Sequence, residues 1–165
     1  MRAARALEPL PERLIAGLRH ASAYPEDASA RGRIAHVQTH LSHVFLTGEK
    51  VYKLRKAVDL GFVCFATRAQ RDADCLREVQ LGRRLAPDVY RGVAPVRLAR
   101  GRVRVGPFSD QLARRGAVEH CVVMRRLPQG RDALSLLGGL WSAGPGRAAF
   151  LLVSHETVTM PVMNG

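Results

Sequence analysis

The sequence is poor in cysteine, in aromatic residues and in long apolar segments. Its three cysteines, Cys64, Cys75 and Cys121, are odd in number and lack the close spacing of metal ligands, which argues against a disulfide framework or a zinc site. No run of about 18 apolar residues is present to cross a bilayer, and charges interrupt the amino-terminal segment where a signal peptide needs an apolar core. These absences favour a cytoplasmic protein that does not contact a membrane.

Several catalytic signatures are missing as well. The sequence has no H-E-x-x-H, no G-x-S-x-G and no G-x-x-x-x-G-K-[ST] phosphate-binding loop. His36, His40 and His43 are close in sequence, but on two strands and their connecting turn they need not converge on a metal. The sequence therefore does not indicate a metalloprotease, a serine hydrolase or a P-loop ATPase.

Positive charge, in contrast, is abundant. The net charge is +12, and the cations comprise twenty-three arginines and only three lysines, Lys50, Lys53 and Lys56. Such a charge suits nucleic acid or another polyanion. The arginines are nevertheless scattered, few aromatic residues interleave with them, and no RNA-binding or recognition-helix signature is present. A non-enzymatic basic module that binds nucleic acid or a protein partner is thus one alternative for the function.

Hydrophobic periodicity outlines the secondary structure. Residues 9–20 have the spacing of an amphipathic helix, and a T-x-x-Q capping box at Thr67 and Gln70 predicts the start of a long helix that Pro87 ends. The tight turn "TGEK" indicates a hairpin. The predicted strands are residues 34–39, 43–47 and 51–56 and the later segments "VAPVRLA", "GRVRVG" and "EHCVVMRRL".

This order of elements predicts an α+β fold, with a mostly antiparallel sheet of about five strands and one long helix packed on a face. Residues 1–30 would form an N-terminal helix and loop, and residues 31–127 the main domain. Residues 128–165 would form a poorly defined C-terminal tail, with a short helical patch near residues 133–140. We interpret this tail as truncated, divergent or out of frame.

One lysine and one glutamate have a predictable geometry. Side chains alternate across a strand, so Val51, Lys53 and Arg55 share a face. Glu78 falls in the stripe of the long helix that we expect to pack on the sheet, and an inward carboxylate needs a cation. Lys53 is the obvious partner. The other members of that stripe are Cys75, Leu81 and Leu85.

The predicted pair of Lys53 and Glu78 has two interpretations. It is either an ordinary, partly buried ion pair or an arrangement that directs a lysine toward phosphate, as in kinases. Lysine suits the second task because its ammonium is a compact point charge on a flexible stem. Lys50 and Lys56 are expected to be solvated charges at the strand ends.

Four short motifs support a resemblance to a known family. T-H-x-S, V-F-L-T-G, Y-K-x-x-K and L-x-R-R-L-A-P-x-x-Y occur in this order between residues 35 and 127. In these motifs the sequence resembles the amino-terminal lobe of the bacterial aminoglycoside phosphotransferase-like domain, which is often fused to a P-loop ATP-binding domain. The resemblance implies a kinase-like small lobe, a hinge and a larger helical lobe that together transfer phosphate from ATP to a hydroxyl group.

The resemblance also assigns cofactor-binding residues. Lys53 would contact the α- and β-phosphates of ATP, with Glu78 as its helix partner and Val51 lining the adenine pocket. Met124 would be the gatekeeper, a role compatible with that of a core methionine, whereas His40 could equally be a core or surface histidine. The turn over the phosphates would comprise Thr39, His40, Leu41 and Ser42, and the hinge Met124, Arg125, Arg126 and Leu127.

Catalytic groups for phosphoryl transfer are not found in the sequence. The family carries them in an H-G-D-x-H-x-x-N type loop and a later metal-binding aspartate, but no aspartate follows Asp132, and "SHET" at residues 154–157 lacks the required spacing. ATP with Mg²⁺ is the implied cofactor, although no metal ligands are identified. The expected protein is an incomplete enzyme that binds ATP and either needs a missing C-terminal lobe or self-associates through its exposed cleft.

Overall fold

A computed structural model describes residues 6–113 and 115–128, which form a sheet with a helix packed on each face. Leu14 and Leu18 of the first helix are buried against one face, and Cys75 and Val79 of the second are buried against the other. The helices are α1 (Glu12–Leu18) and α2 (Arg68–Leu85), and the strands are β1 (Ala35–Gln38), β2 (Ser42–Leu46), β3 (Lys50–Arg55), β4 (Tyr90–Ala99), β5 (Arg102–Val105) and β6 (Glu119–Arg125).

The sheet is antiparallel throughout, with the strand order β1-β2-β3-β6-β4-β5. The predicted α+β class and antiparallel sheet are therefore confirmed. The sheet has six strands instead of about five because every strand-like segment of the sequence joins it. Strand β3 lies near the centre, where Val51 pairs with Met124 and Lys53 pairs with Val122 of β6.

The start of the long helix follows the predicted capping box. The Thr67 hydroxyl accepts a hydrogen bond from the backbone N–H of Gln70, and the Gln70 side chain accepts one from the backbone N–H of Thr67 at 2.9 Å. Two otherwise unsatisfied donors at the helix start are thereby paired. The helix ends at Leu85, two residues before Pro87, as predicted.

The buried face of α2 differs from the predicted apolar stripe. Leu81 and Leu85 are 52% and 91% exposed, so their predicted packing on the sheet is wrong. Gly82 faces the sheet instead, and a Cβ placed there would lie only 2.4 Å from the ring of Tyr90 in β4. Gly82 thus lies at the contact with the sheet, whereas Leu81 is rotated by about 100° from it and Leu85 is the last residue of the helix. The buried positions of the helix are Arg71, Asp72, Cys75, Glu78, Val79 and Gly82.

The N-terminal segment shares its core with the sheet. Leu14 and Leu18, which the periodicity of residues 9–20 singled out, pack with Phe45, Tyr52 and Leu54 of the central strands. Burying a leucine side chain of this size contributes about 1.5–3 kcal/mol. The helix itself is shorter than predicted, since it begins at Glu12, directly after Pro11.

A buried aspartate joins this N-terminal segment to the predicted hairpin between β2 and β3. The Asp27 carboxylate accepts hydrogen bonds from the hydroxyls of Ser29 (2.6 Å), Thr47 (2.8 Å) and Tyr52 (3.0 Å). Lys50 Nζ lies 3.1 Å from Asp27 Oδ1. Lys50 is therefore paired, and the expectation that it is a solvated strand-end charge is wrong. Burial alone would raise the pKa of Asp27, but these hydrogen bonds outweigh it and lower the pKa to about 2.

The predicted tail at residues 128–165 lies outside the described residues, apart from Pro128, and so does the helical patch near residues 133–140. Among the residues that the structure describes, no helix is long and apolar enough to cross a membrane.

Asp27→Asn should remove an acid-sensitive part of the stability. The pKa of Asp27 is lower in the folded protein, about 2, than its ordinary value of 3.8. Its contribution is therefore complete above about pH 4 and is lost as the pH falls toward about 2. We expect Asp27→Asn to cost about 1–2 kcal/mol in urea unfolding at about pH 7, and much less at about pH 2.5.

Asp88→Asn, which changes an exposed aspartate, serves as the control and should stay within about 0.5 kcal/mol of the parent protein. An equal difference between Asp27→Asn and the parent at both pH values would contradict the assignment of this charge to the hairpin contact.

Candidate functional site

The predicted pair of Lys53 and Glu78 forms between the central strand and the long helix. Lys53 Nζ lies 3.3 Å from Glu78 Oε1, and both side chains are almost completely buried. Strand alternation aims Lys53 at the helix, and Glu78 lies on the helical face formed with Cys75 and Gly82. The contact predicted from these two periodicities is confirmed.

A second cation, Arg55, joins this pair from the same face of β3. Arg55 Nη2 lies 2.5 Å from Glu78 Oε2 and 2.7 Å from Asp74 Oδ2. Its Nη1 donates a hydrogen bond of 2.8 Å to the Ser42 hydroxyl. The guanidinium also lies 5.2 Å from the centre of the Phe65 ring. The site is thus a network and not an isolated pair.

The network balances its own charge. Lys53 and Arg55 contribute two cations, and the buried Glu78 and the partly exposed Asp74 contribute two carboxylates, so the formal charges of these four side chains cancel. Such balance matters because an uncompensated buried charge is strongly destabilising. Strand alternation predicts that Arg55 shares a face with Lys53, but it does not predict the contact of Arg55 with Glu78. The overlooked signal was Asp74, which precedes Glu78 by four residues and hence lies on the same side of the helix.

Two apolar members of the predicted site lie next to the network. Val51 is two residues from Lys53 on the same face of β3. Met124 of β6 is paired with Val51 in the sheet. Both side chains are buried in the cluster that also contains Val79 of α2 and Val44 of β2. The structure thus brings Val51, Lys53 and Met124 together on the face that α2 covers.

The predicted turn over the phosphates is a tight turn between β1 and β2. The Thr39 hydroxyl accepts hydrogen bonds from the backbone N–H groups of Leu41 (3.3 Å) and Ser42 (2.9 Å). His40 at its tip is exposed. Lys56 Nζ donates a hydrogen bond of 2.6 Å to the Thr39 carbonyl, so the expectation that Lys56 is solvated is wrong. Ser42, at the end of this turn, is linked to the charged network because its hydroxyl accepts the hydrogen bond from Arg55.

The predicted hinge residues Arg125, Arg126 and Leu127 lie elsewhere. Arg125 pairs with Lys50 in the β3–β6 register, three residues and therefore about 10 Å along the strand from Lys53. The backbone N–H of Arg125 donates to Val89, and that of Arg126 donates to the Glu49 carbonyl. These residues line a separate cleft at the end of the sheet instead of the charged network.

Two further polar pairs fix α2 on β6. Arg71 donates to both carboxylate oxygens of Glu119. Its Nη1 donates to backbone carbonyls, including that of Phe65 at 3.1 Å. Burial raises the pKa of Glu119 despite this partner. His120 Nδ1 lies 2.9 Å from Asp72 Oδ1, and its Nε2 accepts from a backbone N–H. All these groups satisfy one another, so we assign them a structural role.

Two of the three clustered histidines do meet. His36 Nε2 lies 3.1 Å from His43 Nδ1, and the His36 ring stacks on Phe45. Burial, assisted by the charge of Lys56 and by His36, lowers the pKa of His43 to about 4. His40 is not part of this contact. Over residues 6–113 and 115–128, no group of three or more histidine, cysteine, aspartate or glutamate side chains is arranged to hold a metal ion.

Comparison with known proteins gives a short match. No family model matches the chain, and no solved structure matches it. Uncharacterized proteins from Mycobacterium tuberculosis and Mycobacterium bovis are each 40% identical to it over 57 residues. The matched segment is 34% of this chain but spans only 11% of the length of each relative. These relatives are bacterial, and their names state no activity.

Glu78→Gln should destabilise the fold strongly because it removes the buried carboxylate that both Lys53 and Arg55 contact. We expect a loss of about 3–5 kcal/mol in the free energy of unfolding, measured with urea. The double variant Lys53→Met/Glu78→Gln should recover part of this loss, since it also removes the buried cation that contacts Glu78.

The matched control is Glu26→Gln, the same change at an exposed position, which should cost less than about 0.5 kcal/mol. A cost below about 1 kcal/mol for Glu78→Gln would show that the network does not hold the helix on the sheet.

Proposed function

We propose that this chain is the ATP-binding small lobe of a kinase-like phosphotransferase of the aminoglycoside phosphotransferase-like type. The observation that carries the proposal is the buried contact between Lys53 on the central strand and Glu78 on the helix that packs over it. Kinases use a strand lysine held by a helix glutamate to contact the phosphates of ATP. The four ordered sequence motifs support the same assignment.

The surroundings of Lys53 support a nucleotide site. Val51 and Met124 form an apolar pair beside the lysine, of the kind that contacts an adenine ring. Ser42 lies at the start of β2, on the same side of the sheet, and provides a hydroxyl close to the network. In this proposal the adenine lies near Val51 and Met124, and the phosphates lie toward the turn at Ser42.

Arg55 contacts the same carboxylate that holds Lys53. Glu78 is the buried partner of the Lys53 ammonium, and an ammonium has three N–H donors, so a phosphate can share the lysine with this carboxylate. Arg55 Nη2 lies 2.5 Å from the other carboxylate oxygen of Glu78. In this proposal Arg55 therefore helps to hold the carboxylate where it orients the lysine.

Catalysis requires more than these residues. A catalytic aspartate and Mg²⁺ ligands of the family type are not found in the sequence, so we propose an incomplete enzyme whose complement is a larger lobe. Mg²⁺ would arrive with ATP and neutralise phosphate charge. The acceptor hydroxyl would be bound by that larger lobe, and the cytoplasm, which supplies ATP, is the proposed location.

The proposal is tested by calorimetric titration of ATP with Mg²⁺ into the parent protein and Lys53→Met. We expect micromolar binding to the parent and a loss of at least about tenfold in affinity for the variant, because a charge-assisted contact to phosphate is removed. Circular dichroism and thermal unfolding of Lys53→Met establish that the protein tested is folded.

Arg102→Met provides the control. Arg102 is an exposed cation on the edge strand β5, away from Lys53 on the central strand β3. Its replacement should leave ATP affinity unchanged within about twofold. If folded Lys53→Met retains the affinity of the parent, the nucleotide does not use the charged network and the proposal fails.

A further inference from the structure

A cleft of about 620 Å³ opens at the end of the sheet, between the β2–β3 turn and the end of β6. Its lining includes four cationic side chains and one carboxylate, Glu49. Leu127 and Pro128 form an apolar part of its wall. The volume is typical of a site for a small molecule, since such sites span about 300–1,000 Å³. The cations are Lys50, Arg91, Arg125 and Arg126.

Two of these cations are held in place by the fold. Lys50 is fixed by the buried carboxylate of Asp27, 3.1 Å away, and Arg126 Nη1 donates a 2.6 Å hydrogen bond to the Thr47 carbonyl. The backbone N–H of Arg126 also bonds the Glu49 carbonyl, which ties the end of β6 to the turn. A preorganised charged group loses less entropy when it binds a ligand.

The other two cations are exposed at the rim. Arg91 and Arg125 form no ion pair with any carboxylate in the part of the chain that the structure describes. Asp27 compensates Lys50, so the three guanidinium groups outweigh the single carboxylate of Glu49 and the cleft carries a net positive charge. A planar guanidinium group binds two oxygens of one phosphate. Three guanidinium groups in one cleft therefore favour a ligand with several phosphate groups.

We propose that this cleft binds a small ligand with clustered phosphate groups. No aromatic side chain lines it among the described residues, so it offers no platform on which a nucleobase could stack, and the charges supply the recognition. The site is separate from the proposed nucleotide contact at Lys53, which lies on the opposite face of β3 from Lys50. Neither proposal depends on the other.

The test is calorimetric titration with inorganic tripolyphosphate, without Mg²⁺, against the parent protein and Arg91→Gln/Arg125→Gln. We expect one molecule bound per chain, and a loss of at least about tenfold in affinity when the two exposed arginines are replaced.

The control variant is Arg102→Gln/Arg104→Gln, which removes the same charge from exposed positions of the edge strand β5. It should alter the affinity by less than about twofold. Equal losses in both double variants would show that the binding reflects net charge only, and absence of binding to the parent would also overturn the proposal. A last titration uses citrate, an anion with several carboxylates and no phosphate. If citrate binds as tightly as tripolyphosphate, the assignment of the cleft to phosphate ligands is overturned.

Discussion

The compensation of buried charge is the constraint on which this fold depends. Helix α2 presents few large apolar side chains to the sheet, and instead makes contact through three charged or polar groups that each meet a partner on a strand. Glu78 meets β3, while Arg71 and Asp72 meet β6. Because each buried ion requires its partner, the helix has one position and one rotation in which all three pairs form. Apolar packing by Cys75 and Val79 fills the space between them.

Much of the fold could be predicted from local signals. Short β-type segments bounded by turn residues located the strands, and the T-x-x-Q pattern located the start of α2, because both signals depend on residues close together in sequence. The exposure of Leu81 and Leu85 could not be predicted in this way. The face of α2 that meets the sheet is the one on which Gly82 approaches Tyr90, a contact with a residue on another element.

The candidate site was predicted in part for the same reason. Strand and helix periodicities suffice to aim Lys53 and Glu78 at each other. They do not reveal that the carboxylate is shared with Arg55, or that Asp74 completes the balance, since two cations competing for one acid is a property of the packed network. The hinge residues Arg125 and Arg126 were grouped with this site by resemblance, yet their side chains line a cleft on another part of the sheet.

The three lysines are all engaged with oxygen atoms, and this has a practical consequence. Lys50 contacts Asp27, Lys56 contacts the Thr39 carbonyl, and Lys53 contacts Glu78 in the interior. Side-chain amines occur nowhere else in the sequence. An amine-specific acylating reagent therefore has one deeply buried target, and the rate at which Lys53 is labelled would report how often α2 separates from β3 in the native protein.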